Sequence, residues 1–467
     1  MTSSNTAVVI GGGLAGLTAA HRLARRGLAV TLVEREAHVG GPVQTVVKDG
    51  FLFESGPNSI RATSPAVTAL IAELGLSDRV ITSLDAAKDR YIWRHGKAHR
   101  MGPRELFLGD LMSLRGRLRL LSEPFIPKTK PNPDASLSDF LTARLGHEAV
   151  AALVEPFVTG IFAGDPRLLG LDALPAVGTM AKAGGILRGV SRLRAERGPR
   201  PKGAPKTPAI TTFDRGLQTL VDALVATITA AGGQILTNTV ATSINRTESG
   251  FGVHLQSSMG GQGGEAGTHL DTDHLVLAIA PALAIRLAPD LLRAADSALG
   301  SQVSASAVTV GLGLRSADFP SDRVPAGFGL LVAPDSPVGP SGLLAGLVFA
   351  SSVFAGRAPT GHLLITAIMG GIRKPDAVLR DDLALVAEAV SALGTLFGYR
   401  GTPVSTSVSR WPETIAQLGP RHHDQVADLR ATLPRGLSLC GGGFFGPSLP
   451  DVITSGFAAA DAVLAGR

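Results

Sequence analysis

The sequence predicts a protein that is α/β at its start and α+β overall, and three observations carry that expectation. The first is the opening run Ala7-Val8-Val9-Ile10, which enters Gly11-Gly12-Gly13-Leu14-Ala15-Gly16, continues through a helical stretch and returns at Val30-Thr31-Leu32-Val33-Glu34. A strand, a glycine turn, a helix and a second strand in that order are the βαβ start of a parallel, nucleotide-binding sheet. The second is the tail, where Leu437-Ser438-Leu439-Cys440 runs into Gly441-Gly442-Gly443 and a last helix, Ser455 to Leu464. The third is a strand-rich region from Ala305 to Gly371, with apolar runs at 307–314, 329–332, 343–349 and 363–369, which reads as an antiparallel sheet flooring an apolar pocket.

At 467 residues the chain is long enough for two or three domains. Its formal charge of +6 suggests an acidic partner: a carboxylate-bearing substrate, an anionic membrane surface or nucleic acid. No nucleic-acid motif is present, which sets the third aside. Cys440 is the single cysteine, so a disulfide framework and a cysteine metal cluster are both excluded, and a reducing compartment fits. The chain enters its first strand within a few residues, so no leader peptide is expected. The longest uncharged run, 336–356, carries Pro337 and Pro340 and reads as buried strands, not as a membrane-spanning helix. A meeting with a membrane would therefore be at its surface.

Within the first unit, Gly11 permits the tight turn, Gly13 lets the backbone approach a pyrophosphate and Gly16 lets helix and strand pack closely. Glu34 lies 18 positions after Gly16, where a carboxylate can accept both hydroxyls of an adenosine ribose. Two more glycine turns follow, His38-Val39-Gly40-Gly41-Pro42 and Ser55-Gly56-Pro57-Asn58-Ser59, more than one mononucleotide needs. They favour an extended FAD over NAD. Ser64-Pro65 opens an amphipathic helix, and Lys88 to Trp93 alternates like a strand before the turn His95-Gly96-Lys97.

From Leu106 to Leu121 leucines interleave with Arg115, Arg117 and Arg119. This is either an interfacial helix pair with its apolar face in lipid or a core-facing helix with a solvated basic face. A second helical run covers Glu148 to Phe162. The basic, Gly- and Pro-rich stretch from Arg188 to Pro208 (Arg192, Arg194, Arg197, Arg200, Lys202, Lys206) reads as a surface loop, either a solvated linker or a contributor to membrane attraction. Nucleotide-domain strands then resume, interrupted by a glycine-rich hairpin loop from Ser257 to Thr268. His422-His423 lacks metal-ligand spacing and is expected to be a pair of loop surface histidines, with no metal in the protein.

The glycine turns, the segment Glu155-Pro156-Phe157-Val158-Thr159-Gly160-Ile161-Phe162-Ala163-Gly164-Asp165-Pro166, Gly327-Phe328-Gly329, Phe354-Ala355-Gly356-Arg357-Ala358-Pro359, Arg410-Trp411 and the 441–456 tail together resemble the FAD-dependent protoporphyrinogen oxidases, within the flavin amine oxidase-like superfamily. The resemblance runs nearly the length of the chain. It implies a Rossmann-like FAD-binding domain (residues 1–84, 210–295 and 405–467), an antiparallel-sheet substrate domain (85–97 and 296–404) and a helical membrane-associating insertion (98–209). The implied activity is six-electron oxidation of protoporphyrinogen IX to protoporphyrin IX in haem biosynthesis, with oxygen or a respiratory acceptor reoxidising the flavin. Methylene bridges give hydride to flavin N5, so no catalytic side chain is assigned and the cofactor carries the hard chemistry.

Carried across by position, the FAD residues are Gly11, Gly12, Gly13, Leu14, Ala15, Gly16, Glu34, Arg35, Gly41, Pro42, Gly56, Pro57, Asn58, Ser59, Val240, Gly442, Pro447, Ser448 and Leu449. Arg90 falls on a propionate-clamping arginine, a role that suits its planar fork. Asn58 and Gly164 fall beside the substrate, and Leu331, Leu347, Val348 and Ile368 where aliphatic side chains sandwich the pyrroles. From the residues alone these four are simply core strand positions. Pro42, Asp214-Arg215-Gly216 and Gln417-Leu418 depart from the usual family pattern. The partners implied are the porphyrinogen, a membrane surface, a downstream ferrochelatase or other chelatase and a second copy of the chain. The location implied is cytoplasmic, peripheral at most on the inner face of the cell membrane. Coproporphyrinogen III oxidation, an amine oxidase and a non-catalytic FAD- or porphyrin-binding partner of haem enzymes remain as alternatives.

Overall fold

The computed structural model describes residues 5–61, 64–128, 132–197, 210–258, 267–293 and 299–466. Five strands form a parallel sheet in the order Gln234–Leu236, Ala29–Val33, Thr6–Ile10, His274–Leu277, Leu437–Leu439. Both faces are covered, which is why these strands read as nearly continuous apolar runs. Val9, Leu32 and Val276 point to one side, under the helices Leu14–Arg25, Gln218–Ala230 and Leu449–Ala465. Val8, Ile10, Leu275 and Leu277 point to the other, against the antiparallel strands Thr239–Arg246 and Phe251–Ser257 and the helix Pro281–Leu287. The first and last helices are brought together at Gly456, where any Cβ would lie 2.9 Å from Cβ of Thr18.

A second sheet has seven strands in the order Ser405–Ala416, Ser304–Arg315, His362–Gly370, Leu344–Val348, Gly329–Val332, Arg90–Arg94, Lys97–Arg100. It is antiparallel as expected except at one junction, where Gly329–Val332 and Arg90–Arg94 run parallel. The helix Asp382–Phe397 covers one face, closing a core of Val310, Leu312, Leu330, Leu347, Ile365 and Ala367. Two expected domain limits need correction. Ser405–Ala416 pairs along Ser304–Arg315, and Lys97–Arg100 along Arg90–Arg94. Limits at 404/405 and 97/98 would thus cut hydrogen-bonded strands out of the sheet to which they belong.

The helical part between the two sheets comprises Pro103–Leu108, Leu114–Leu121, Leu137–Leu145, the run from His147 through a widened turn at Val150–Val154 to Glu155–Phe162, Pro175–Lys182 and Ile186–Arg197. Ser136 and Asp139 form a reciprocal capping box on Leu137–Leu145. At its centre the buried Arg144 donates to Glu123 at 2.6 Å, and Glu123 also accepts the backbone N–H of Ile186 at 2.8 Å. The 106–121 stretch is divided: Leu111 and Met112 are buried, with Leu106 and Leu120 packed against them. Leu114, Leu118 and Leu121, in contrast, are 66, 58 and 53% exposed. The basic stretch from Arg188 is not a loop at its start: residues up to Arg197 form a helix, because Glu123 anchors its first turn. Arg200, Lys202 and Lys206, and the middle of the 257–268 hairpin, lie outside the described residues. No helix among the described residues is long and apolar enough to cross a membrane.

Candidate active site

At the carboxyl ends of the parallel strands three glycine turns converge. Gly11 adopts φ +104°, closed to residues with side chains, and its N–H binds Val33 O at 2.8 Å. The helix Leu14–Arg25 begins with no side-chain cap on its first N–H groups, the condition for binding an anion there. Gly13 opens onto free space, since an added Cβ would meet nothing within 4 Å, and one on Gly41 would meet only Cα of Gly13 at 3.6 Å. Gly40 N donates to Gly12 O at 2.8 Å, tying the second turn to the first. The third turn packs on the second, because a Cβ on Gly56 would fall 2.5 Å from Pro42 O. Leu14, Ala15 and Gly16 form the buried first turn of the helix.

Glu34 ends its strand with Oε2 accepting Gly12 N–H at 2.6 Å and Oε1 accepting Glu36 N–H at 2.9 Å. Thr239 N donates to Glu34 O at 2.9 Å, which sets the half-buried Val240 beside it. Arg35 points to solvent in an ion pair with Glu36. At the other end a Cβ added to Gly442 would lie 3.3 Å from Cα of Pro447, and Ser448 caps the helix Leu449–Ala465 by accepting Asp451 N–H. An uncrowded glycine floor, free helix N–H groups and a terminal carboxylate are the donor and acceptor set of a bound dinucleotide.

Asn58 and Ser59 leave this groove and line a cavity with Phe328, Val348, Val353 and Phe354. Asn58 is held by Thr366, whose hydroxyl donates to Oδ1 at 3.3 Å, while Ser55 O accepts from Trp411 Nε1 at 2.7 Å. Arg90 begins its strand opposite Gly329, with its guanidinium 5.0 Å from the centre of the Phe328 ring. It has no carboxylate partner among the described residues, because Asp89 next to it is held by Arg100. Burial lowers the Arg90 pKa, and the charge of Arg61 lowers it further.

Strand alternation sorts the four aliphatic positions. Leu331 packs among Ile92, Leu111 and Ala149, and Gly160 gives it room on the helix Glu155–Phe162. Ile368 shares a face with Thr366, since Ile365, Ala367 and Met369 take the other. Val348 lines the cavity. Leu347 does not join them: it is 3% exposed within the core under Asp382–Phe397, on the opposite face of the sheet. Its expected contact with a substrate is therefore corrected to a packing role. Gly164 lies at the end of Glu155–Phe162 against Gln417, whose buried Oε1 has no donor among the described residues. The acidic residues of that segment have an architectural use, because Arg373 pairs with Glu155 at 3.0 Å and with Asp165 at 3.4 Å.

Two features were not legible in advance. Glu54 and Arg357, both nearly fully buried, pair at 3.4 Å on the cavity wall. Glu54 also accepts from Thr45 Oγ1 at 2.7 Å and Leu217 N at 3.0 Å, while Arg357 donates to Thr212 at 2.6 Å. Burial outweighs these donors and raises the Glu54 pKa to about 7. Second, His422 is not a surface residue. It is 5% exposed at the start of the helix His422–Thr432, with Nε2 on Phe444 O at 3.0 Å and Nδ1 facing the Gln302 amide at 3.3 Å. Burial pushes its pKa down to about 4. Cys440 is buried too, and its thiol pKa rises to about 12, so it stays protonated.

Residues 14–464 match the family of flavin-containing amine oxidoreductases, and the chain belongs to that family. It is an FAD-dependent oxidoreductase, and the groove from Glu34 to Gly13, Gly41 and Gly442 fits that cofactor. The chain is 32% identical to a coproporphyrinogen III oxidase of Propionibacterium freudenreichii subsp. freudenreichii, over 98% of this chain and 90% of the relative. It is 27% identical to the chloroplastic protoporphyrinogen oxidase of Nicotiana tabacum, over 91% of this chain and 78% of that one. A crystal structure from Exiguobacterium sp. 255-15, provisionally assigned as a protoporphyrinogen oxidase, superposes with a TM-score of 0.81 at 23% identity over 100% of both chains. At that identity the last comparison speaks for the fold.

Proposed function

We propose that this protein oxidises a porphyrinogen to the porphyrin in haem biosynthesis, with protoporphyrinogen IX as the substrate. The carrying observation is Arg90: it has no carboxylate partner among the described residues, and its guanidinium lies 5.0 Å from the centre of the ring of Phe328, which lines a cavity with Asn58 and Val348. Bound FAD supplies the hydride acceptor. The chain's own residues bind one propionate through Arg90, hold the macrocycle against Leu331, Val348 and Ile368, and orient it through Asn58. Apolar walls exclude water from the reacting carbons. Coproporphyrinogen III is a second reading, favoured by the 32% identity to an oxidase of that name. Anaerobic addition of each porphyrinogen to the yellow holoenzyme tests both. Faster bleaching by protoporphyrinogen supports the first reading, faster bleaching by coproporphyrinogen the second, and no bleaching by either refutes both.

The exposed apolar side chains Leu108, Leu114, Leu118, Leu121 and Phe125 lie close in sequence to Arg104, Arg115 and Arg117. That composition supports a peripheral seat on the anionic inner face of the cell membrane. The wild type should sediment with anionic vesicles, more weakly at high salt, and Leu114→Asp/Leu118→Asp should stay in the supernatant. A wild type that stays in solution with vesicles at low salt refutes the membrane seat.

A further inference from the structure

We propose that Glu54 takes up the pyrrole N–H protons released as the porphyrinogen is oxidised, through one water held between it, Arg357 and Asn58. The proposal rests on the porphyrinogen reading and adds to it the destination of those protons. The cavity wall that contains Asn58, Phe328 and Val348 also contains Glu54 and Arg357. Its volume of about 10 Å³ is the room of one water and far less than a macrocycle needs. A substrate resting on Asn58 and Val348 therefore borders this void without entering it. Among the described residues of the wall, Glu54 is the one group able to gain a proton near neutral pH, because the other charged group, Arg357, already carries its own.

The contacts of Glu54 leave it free for this task. Its ion pair with Arg357 is 3.4 Å long, against 2.6 Å between Arg144 and Glu123, and Arg357 Nη1 is buried with no hydrogen-bond partner among the described residues. Nη2 of the same guanidinium is committed to Thr212 at 2.6 Å. The unused N–H can hold the oxygen of a water beside the carboxylate. On its far side Glu54 Oε2 accepts from Thr45 Oγ1 at 2.7 Å, and Thr45 Oγ1 accepts Gln218 N–H at 3.1 Å. Thr45 is half-buried at the start of Thr45–Lys48, whose other residues are exposed, which gives the proton a way out. Arg357 is the charged group that faces Glu54, with Thr45 Oγ1 and Leu217 N as its other polar neighbours. Burial outweighs all three and raises its pKa to about 7, so the group can be ionised before the step and protonated after it.

In each two-electron step a methylene C–H bond breaks and the hydrogen leaves with the electron pair, as hydride, to the bound flavin. A pyrrole N–H bond breaks as well, and its electron pair stays on nitrogen, cancelling the positive charge left on the ring system. The proton passes to the water, which gives one to Glu54 and forms a carboxyl O–H. Loss of that proton by way of Thr45 restores the carboxylate.

The test is anaerobic single-turnover reduction of the holoenzyme by the porphyrinogen that bleaches it faster, followed by absorbance between about pH 5.5 and 9, with fluorescence titration of the porphyrin as the binding control. The wild-type rate should fall about tenfold per pH unit below about pH 7. Glu54→Gln should keep its flavin and its porphyrin affinity within about twofold, be at least about 100-fold slower at about pH 8, and lose the acidic limb. Glu54→Asp should recover part of the rate together with an acidic limb. A Glu54→Gln enzyme with the wild-type rate or the wild-type limb overturns the relay and leaves the oxidase reading standing. Loss of rate matched by an equal loss of porphyrin affinity also overturns it, since packing alone would do that. If Glu54→Gln retains no flavin, Glu54→Asp decides: a displaced limb supports the relay and an unchanged profile overturns it. A wild type that no porphyrinogen reduces at any pH overturns both readings.

Discussion

Replacing Gly13 and Gly16 by alanine in separate variants distinguishes what the opening turn does for the fold from what it does for the cofactor. A Cβ at Gly16 falls well inside the contact distance of Gly11 O and 3.1 Å from Cβ of Ala278. The helix Leu14–Arg25 would have to retreat from its strand by on the order of 1 Å to restore ordinary carbon contacts. That helix carries Leu17, Ala19, Ala20 and Leu23, all 0% exposed, so the retreat opens packed core. Overpacking of this kind costs about 1–3 kcal/mol. Gly16→Ala should therefore lose both stability and flavin.

Gly13 is the opposite case. Its φ of −66° and ψ of 174° are open to alanine, and the new methyl meets no protein atom. The apoprotein should keep its stability or gain about 0.4–1 kcal/mol from the stiffer unfolded chain. The methyl would occupy the space over which a pyrophosphate must approach, so FAD affinity should fall at least about tenfold, or about 1.4 kcal/mol. The assay is flavin content by visible absorbance together with thermal unfolding of the apo form. A Gly13→Ala protein that purifies with one flavin per chain would refute the placement of the pyrophosphate over that glycine.

Three further perturbations address the remaining buried charges. Arg144→Met should cost about 3–5 kcal/mol in urea unfolding by leaving the Glu123 carboxylate buried without its cation, and Arg144→Met/Glu123→Leu should recover much of it; equal instability of both variants would contradict this account. Glu54, with a folded pKa of about 7 against an ordinary 4.5, contributes stability that is complete below pH 4.5 and disappears as pH rises through 7, about 3 kcal/mol in all. Glu54→Gln should flatten stability between pH 5 and 8 (about the span of that shift), and an unchanged profile would remove Glu54 as its source. His422 has the opposite slope: its folded pKa of about 4 against 6.5 withdraws up to about 3 kcal/mol as pH falls below 6.5, so His422→Gln should hold its stability at pH 5 relative to pH 7 better than wild type does in the same unfolding series.

What could be read in advance follows from how far apart the determining residues lie. The opening βαβ unit was legible because turn, helix and return strand are contiguous, and Glu34 meets Gly12 within the same unit. Burial of the parallel strands on both faces leaves its mark in their own composition. The Glu54–Arg357 pair joins positions about three hundred residues apart in the chain, and neither residue type advertises its partner. A histidine pair at 422–423 suggests solvent, whereas the carbonyl of Phe444 and the amide of Gln302 satisfy both nitrogens of His422 inside the protein.

Leu347 and Val348 show where local pattern stops being sufficient. Both are aliphatic, adjacent and in one strand, so composition treats them alike. The pleat sends one to each face, and which face is which depends on register. Here that register is shifted between Leu344 and Gly346 against the neighbouring strand, a displacement no run of apolar residues encodes. The consequence is testable within the same strand. Leu347→Ala should destabilise by about 2–5 kcal/mol and leave porphyrin affinity unchanged, because it empties the core under Asp382–Phe397. Val348→Ala should weaken porphyrin binding at a smaller cost in stability, because Val348 faces the cavity with Asn58 and Phe328. Reversal of the two effects, measured by urea unfolding and porphyrin titration, would place the substrate on the other face of the sheet.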